Sequence, residues 1–390
     1  MFDTLSLLED HGYANIIIYN DHPDQQTTGI RPEYSCLGLE YWVYTQPSTF
    51  YKFQSAKETI AEVIRRHHPD VCHIHNLQNY VITEYLVQQI PCARSVHDPR
   101  LYCFTHWRLL PNKSICPYPL GTRCIEQGCL SKGVIPRNIF DKNAKSVIRN
   151  LKVHKLMPVI IGESRAQIEC MLENGFSPDQ ITWLPNFTPL RPRTEVEAFV
   201  EHHYQPDEKI VLFVGRASYE KGLYVLLEAA GRVTRDCRFV IITAGPLLEE
   251  IQSLASPFGE KITVIPGLSY EETRKYYARS LVVVVPSVWI ESFCLVGLEA
   301  YANMKPVIGS RVGGIKDWLK ENDTGWFFEP GDARDLAKKI DLALEYPERT
   351  QQMGRNAYDR ACNYYCGQLY LSRLLGIYEK AIRVFHERHK

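Results

Sequence analysis

Short apolar runs alternate with longer segments in which apolar residues return every three or four positions, and this rhythm continues through both halves of the chain. In the first half the runs are NIIIYN (15–20), DVCHIHN (70–76), CARSVHD (92–98) and PVIIGES (158–164). In the second they are KIVLFVG (209–215), RFVIITAG (238–245), KITVIPG (261–267), LVVVVPS (281–287) and KPVIGS (305–310). Runs this short and this apolar fit strands covered on both faces, as in a parallel sheet. The segments between them, such as GLYVLLEAAGRV and YEETRKYYARS, carry the helical period. Strand–helix alternation of this kind predicts βαβ units and an α/β fold of two Rossmann-like, doubly wound parallel sheets.

The rhythm breaks at LPNFTPLRPRTE (184–195), where prolines and polar residues intervene. Three units are expected: a first sheet domain over 1–188, a second over 189–362, and a helical tail over 363–390 that packs back on the first. The opening MFDTLSLLEDHGYANIII reads as helix, turn and strand.

Composition narrows the class. The 390 residues carry 45 basic and 45 acidic side chains, so no overall field favours nucleic acid or an anionic surface. Apolar runs fall far short of the roughly 20 residues that span a bilayer. The first residues carry acids where a signal peptide carries a basic segment. A cytoplasmic protein is expected. The basic, amphipathic stretch DKNAKSVIRNLKVHK (141–155) is either a solvated helix face or a peripheral contact with the membrane's inner face.

Candidate chemistry gathers after the run LVVVV, in PSVWIESFCLVGLEA (286–300). In open α/β sheets ligands bind at the carboxyl ends of strands. Here Pro286 and Ser287 end a strand and a helix starts near Phe293. The free N–H groups of Phe293, Cys294, Leu295 and Val296 at that start offer an anion site. Glu291 stands before it and Glu299 within it. Eight residues of helix separate two carboxylates by up to ~12 Å, a span that suits a ligand with hydroxyls at each end and a diphosphate between. The plainer alternative is that Glu291 caps the helix and Glu299 faces water. A second strand–loop–helix, FVGRASYEKGLYVLLEAA (213–230), places Gly215 at the strand's end with Arg216 and Lys221 beside the turn. Two cations by a helix start can neutralise a leaving diphosphate.

The segments GRASYEKG, GLSYEETRKYYARSLVVVVPS and ESFCLVGLEAYANMKPVIGSRVGGIKDWLKENDTGWFFEPGD together resemble family 4 of the retaining glycosyltransferases, which have the GT-B fold. The resemblance covers nearly the whole second half in order and spacing. It extends more weakly to DVCHIHN, SVHD and IGESRAQIECMLENGFSPDQITWLPN in the first half. It implies a sugar moved from a UDP- or GDP-sugar to a glycan or lipid-linked acceptor, in cell-surface polysaccharide assembly, with no cofactor required. By the same resemblance Glu299 holds the donor's ribose and Glu291 the donor sugar's hydroxyls. The amides of 293–296 touch sugar and phosphate, and Arg216 and Lys221 stabilise the departing diphosphate. The base lies near Gly267 and Leu268, Gly215 belongs to the donor-binding set, and His97 in SVHD reaches the sugar from the first domain. No Asp-x-Asp stands where it could hold a catalytic metal. His73 and His75 in CHIHN read as cleft wall or packing.

Three features depart from the family pattern or add to it. The family's first strand and glycine-rich loop are not found before the first helix, so the N-terminus reads as shortened. A catalytically weak sugar-nucleotide-binding partner subunit is therefore the rival reading. Cys294 stands where the family has glycine in E-x-F-G. Four of the twelve cysteines, Cys103, Cys116, Cys124 and Cys129, cluster in CFTHWRLLPNKSICPYPLGTRCIEQGC, for which a structural zinc, paired disulfides and free thiols all stay open. Four thiolates would leave no open position for a catalytic zinc. An NAD-dependent enzyme is disfavoured because no G-x-G-x-x-G follows a strand.

Overall fold

The apolar runs become parallel strands in a computed structural model that describes residues 2–21, 35–40, 49–75, 77, 79–105, 107–129 and 147–390. Twelve strands are described: β1 (Ile16–Asp21), β2 (Ser35–Glu40), β3 (Cys72–Ile74), β4 (Cys92–Val96), β5 (Val159–Gly162), β6 (Ile181–Trp183), β7 (Ile210–Arg216), β8 (Arg238–Ala244), β9 (Ile262–Pro266), β10 (Ser280–Val285), β11 (Val307–Ser310) and β12 (Gly325–Phe328). They form a four-stranded sheet ordered β3-β4-β5-β6, a six-stranded sheet ordered β12-β11-β10-β7-β8-β9, and a separate β1-β2 pair. Every pairing between these strands is parallel.

Burial on both faces explains why the centres of β7 and β10 are apolar. In β7, Val211 and Phe213 enter one core of the six-stranded sheet while Ile210 and Leu212 enter the other. In β10, Val282 and Val284 face the first core, Val283 and Val285 the second. Strand order then fixes where a ligand can sit. The chain runs outward from β7 through β8 and β9, then crosses back to lay β10 on β7's other side. That reversal opens a crevice at the carboxyl ends of β7 and β10.

Gly222 shapes one wall of this crevice. It lies at φ +71°, and a Cβ added there would sit 1.8 Å from the Pro286 carbonyl oxygen. The loop after β7 thereby presses directly on the end of β10. Gly222→Ala should destabilise the protein by about 1–3 kcal/mol through overpacking. A lowered thermal midpoint would check this; an unchanged midpoint would contradict the close approach.

The last helix, Gly367–Arg388, returns to the other sheet, where Tyr370, Leu374, Ile377 and Ala381 pack on Ala93, Val159, Ile161 and Leu184. Further contacts join the two sheets' layers across the crevice. The Arg165 N–H donates to Asp317 Oδ2 at 2.8 Å, and Ile290 packs against the core of the four-stranded sheet. Among the described residues no helix is long and apolar enough to cross a membrane. Of the basic stretch 141–155, residues 141–146 lie outside the described residues; 147–154 are helical, with Leu151 and Val153 buried.

Candidate active site

The loops after β7 and β10 meet. Lys221, in a short 3₁₀ turn ahead of the helix Leu223–Ala230, places Nζ 2.7 Å from Glu291 Oε1. Ser287 Oγ, just past β10, donates to the same oxygen at 2.5 Å. The Glu291 side chain is only 4% exposed. Burial alone pulls the Lys221 pKa down, yet the Glu291 charge, Cys294 and the Glu291 hydrogen bond outweigh it, and the net shift is upward. Lys221 is therefore held as an ammonium against a carboxylate.

The main chain of Glu291 is clamped as well. Its carbonyl accepts from the Gly314 N–H at 2.8 Å. At Gly313, where φ is +47°, an added Cβ would meet the Glu291 carbonyl oxygen at 2.2 Å. The VGG of SRVGGIKDW is thus a bed for Glu291, visible in the sequence only as a glycine pair.

Glu299 lies on the helix Leu295–Ala302, where Tyr277 donates its hydroxyl to Oε2 at 3.0 Å. Burial raises the Glu299 pKa, and the Tyr277 hydrogen bond works against that rise. Tyr277 is fully buried and engages one carboxylate oxygen, Oε2. Tyr277→Phe keeps the packing and removes about 1 kcal/mol of net hydrogen bonding. Nucleotide affinity should fall about fivefold, measured by calorimetric titration; an unaltered affinity would show that Tyr277 does not set the carboxylate.

The helix N-cap is Cys294, at φ +71° in the left-handed region. Glycine adopts that conformation freely, whereas an L side chain there costs roughly 1–2 kcal/mol. The glycine expected at this position thus answers a backbone demand that Cys294 meets under strain. Burial pushes its thiol pKa up to about 12, so it stays neutral. Phe293 is buried, while Leu295 is exposed and Val296 half-buried at the helix start.

Arg216 ends β7 as an exposed side chain that makes no ion pair among the described residues. Gly215 precedes it in β7. Gly267, just past β9, donates its N–H to the Thr243 carbonyl at 3.0 Å, and Leu268 packs at the edge of the second core.

From the four-stranded sheet, His97 follows β4 and approaches Glu163 at the end of β5, with Nδ1 2.5 Å from Oε1. Asp98 serves structure: it caps the turn Pro99–Leu101 by accepting from the Arg100 N–H and pairs with the Arg100 guanidinium.

The cysteine-rich segment reaches across the crevice. The Trp107 ring meets Trp289 edge-on at 5.4 Å, and Lys113 Nζ stands 4.1 Å over the Tyr219 ring, two residues from Lys221. Cys103, Cys116, Cys124 and Cys129 are free thiols. Among the described residues no three His, Cys, Asp or Glu side chains gather as a group able to hold a metal. Buried Arg108 ties this segment together: its Nη2 donates to the carbonyls of Cys116 and Tyr118 and to Glu173.

The fold recurs in known proteins. The backbone overlays sucrose-phosphate synthase from Thermosynechococcus elongatus with a TM-score of 0.71 at 19% identity, covering 97% of this chain and 91% of that one. It overlays Anabaena HepE, solved in complex with UDP, with a TM-score of 0.63 at 14% identity, covering 87% and 85%. The fold is therefore GT-B, two Rossmann-like domains of parallel sheets, as the strand–helix alternation predicts. Residues 194–360, which hold Arg216, Lys221, Glu291 and Glu299, match the family described as Glycosyl transferases group 1. In sequence the chain is 29% identical over 185 residues to alpha-D-kanosaminyltransferase of Streptomyces kanamyceticus, covering 46% of this chain and 48% of that protein. The aligned part thus spans about half the length of that relative.

Proposed function

We propose that the protein is a retaining glycosyltransferase of family 4, moving a sugar from a UDP- or GDP-sugar to a glycan or lipid-linked acceptor in cell-surface polysaccharide assembly. One observation carries the reading: Lys221 meets the buried Glu291 carboxylate at 2.7 Å, at the strand-order reversal of a Glycosyl transferases group 1 domain. The UDP bound to HepE supports a nucleotide donor.

In this reading the free oxygen of Glu299 accepts from the ribose hydroxyls. The diphosphate lies on the amides of 293–296, between Lys221 and Arg216. Glu291 accepts from hydroxyls of the transferring sugar, and His97 meets that sugar from the other domain. As the anomeric carbon–oxygen bond breaks, negative charge grows on the leaving phosphate, where fixed donors act most strongly. The acceptor oxygen attacks from the leaving-group face, which retains configuration, and its proton passes to the departing phosphate oxygen. The membrane contact, through the stretch 141–155, belongs to this proposal too, as does a cytoplasmic location.

A thermal-shift panel of UDP, GDP and ADP, followed by an assay for sugar transfer and donor hydrolysis, tests the reading. Stabilisation by UDP or GDP together with turnover supports the enzyme. Stabilisation with neither transfer nor hydrolysis would identify a sugar-nucleotide-binding subunit instead. No response to any nucleotide removes the proposal.

A further inference from the structure

The group behind His97 is not explained by donor binding alone. His97 is gripped at both ring nitrogens: Nδ1 faces Glu163 Oε1 at 2.5 Å, and Nε2 faces His75 Nδ1 at 2.8 Å. The His75 and His97 rings lie nearly parallel, 6° apart. Behind them His73 stacks on His75 at 4.2 Å and is held between the Tyr378 hydroxyl and Ser95 Oγ. Glu163 is itself buried, and its N–H donates to Gln167 Oε1 at 2.8 Å.

From this arrangement we infer that Glu163 is a positioning residue: it holds His97 in the Nδ1–H tautomer and so keeps Nε2 as a lone pair for a hydroxyl of the donor sugar, with His75 filling that place until the sugar arrives. The inference rests on the reading of His97 as the sugar-facing group. An ionised carboxylate only accepts, so the proton between Glu163 and His97 lies on Nδ1. In this tautomer Nε2 accepts, and His75 donates to it from Nδ1 across the 2.8 Å contact. Burial, reinforced by the neighbouring His73 and His97, holds the His75 pKa well below its usual value, which keeps that ring neutral as the scheme requires. The His73 pKa is lowered to about 3 by burial and by His97, so it too stays neutral. A neutral acceptor selects a hydroxyl at that position of the sugar over an ionised carboxylate.

Histidine ¹⁵N labelling of the full chain reads the tautomer directly, through long-range proton–nitrogen correlations at neutral pH. Wild-type protein should show His97 protonated at Nδ1 and bare at Nε2. Glu163→Met, which keeps the bulk and removes the acceptor, should release the proton from Nδ1 and lower kcat about 10- to 100-fold, the scale typical for a lost orienting partner. Its affinity for UDP should stay unchanged, because the nucleotide is held by the other domain. Glu163→Gln still offers an amide oxygen, so it should restore the tautomer and much of the rate. A His97 tautomer unaltered by Glu163→Met would overturn the inference. So would wild-type kcat in Glu163→Met where His97→Ala has lost it. Full turnover in His97→Ala would instead sink the reading of His97 itself, and the labelled spectra distinguish the two failures.

Discussion

Replacing Lys221 by alanine should lower the transfer rate about 10²- to 10³-fold, the usual cost of removing one fixed donor from the place where charge develops. The expectation follows from geometry. Lys221 Nζ lies 2.7 Å from Glu291, in a side chain only 26% exposed, at the reversal between β7 and β10. A second effect accompanies the first. With the lysine gone, Glu291 remains buried with Ser287 as its remaining side-chain partner, and an under-partnered buried carboxylate costs about 1–3 kcal/mol. Lys221→Ala should therefore lose both rate and thermal stability. Glu291→Gln removes the buried charge, so it should lose rate with a smaller drop in midpoint. Steady-state kinetics and thermal melts on the two variants check the pair. Wild-type rates in Lys221→Ala would remove the lysine from the chemistry.

Glu299→Ala should act on binding instead. A carboxylate accepting two ribose hydroxyls contributes about 1.5–3 kcal/mol through hydrogen bonds to a charged group. The dissociation constant for UDP or GDP should then rise about 10- to 100-fold, with kcat at saturating donor little changed. Tyr277 supports this division, because it occupies Oε2 and aims the other oxygen. Isothermal titration of nucleotide into the variant is the check. Equal affinity for wild type and Glu299→Ala would mean the ribose lies elsewhere.

The sequence made the sheets legible wherever strands are buried on both faces. Every position of β4, β5, β10 and β11 is buried; β5 and β10 stand out as apolar runs, whereas β4 also buries Arg94 and Ser95. What escaped lacked that signature. Ile181–Trp183 is a three-residue edge strand with half-buried and exposed positions. Gly325–Phe328 opens with glycine at φ +150° and has no β-branched residue, so it blends into the polar flanks END and EPGD. Ser35–Glu40 mixes Gly and Glu into its run and carries no apolar stripe.

In the candidate site, motif spacing pointed to Lys221 and Glu291 although 70 residues separate them. Their supports were not legible, because each depends on a tertiary contact. Glu163 is 66 residues from His97, and Tyr277 is 22 from Glu299. Gly313 matters only because another segment's main chain passes beside it. The Cys294 backbone shows the same limit. The sequence shows only a cysteine in place of the family's glycine, whereas its φ of +71° is what the position demands.

A crystal structure with UDP-glucose or a GDP-hexose bound tests the central claim most directly. The account predicts ribose hydroxyls at ~3 Å from the free oxygen of Glu299 and diphosphate oxygens at similar distance from Lys221 and Arg216. A nucleotide seated away from the β7–β10 crevice, or one that leaves Glu299 and Lys221 untouched, would contradict it.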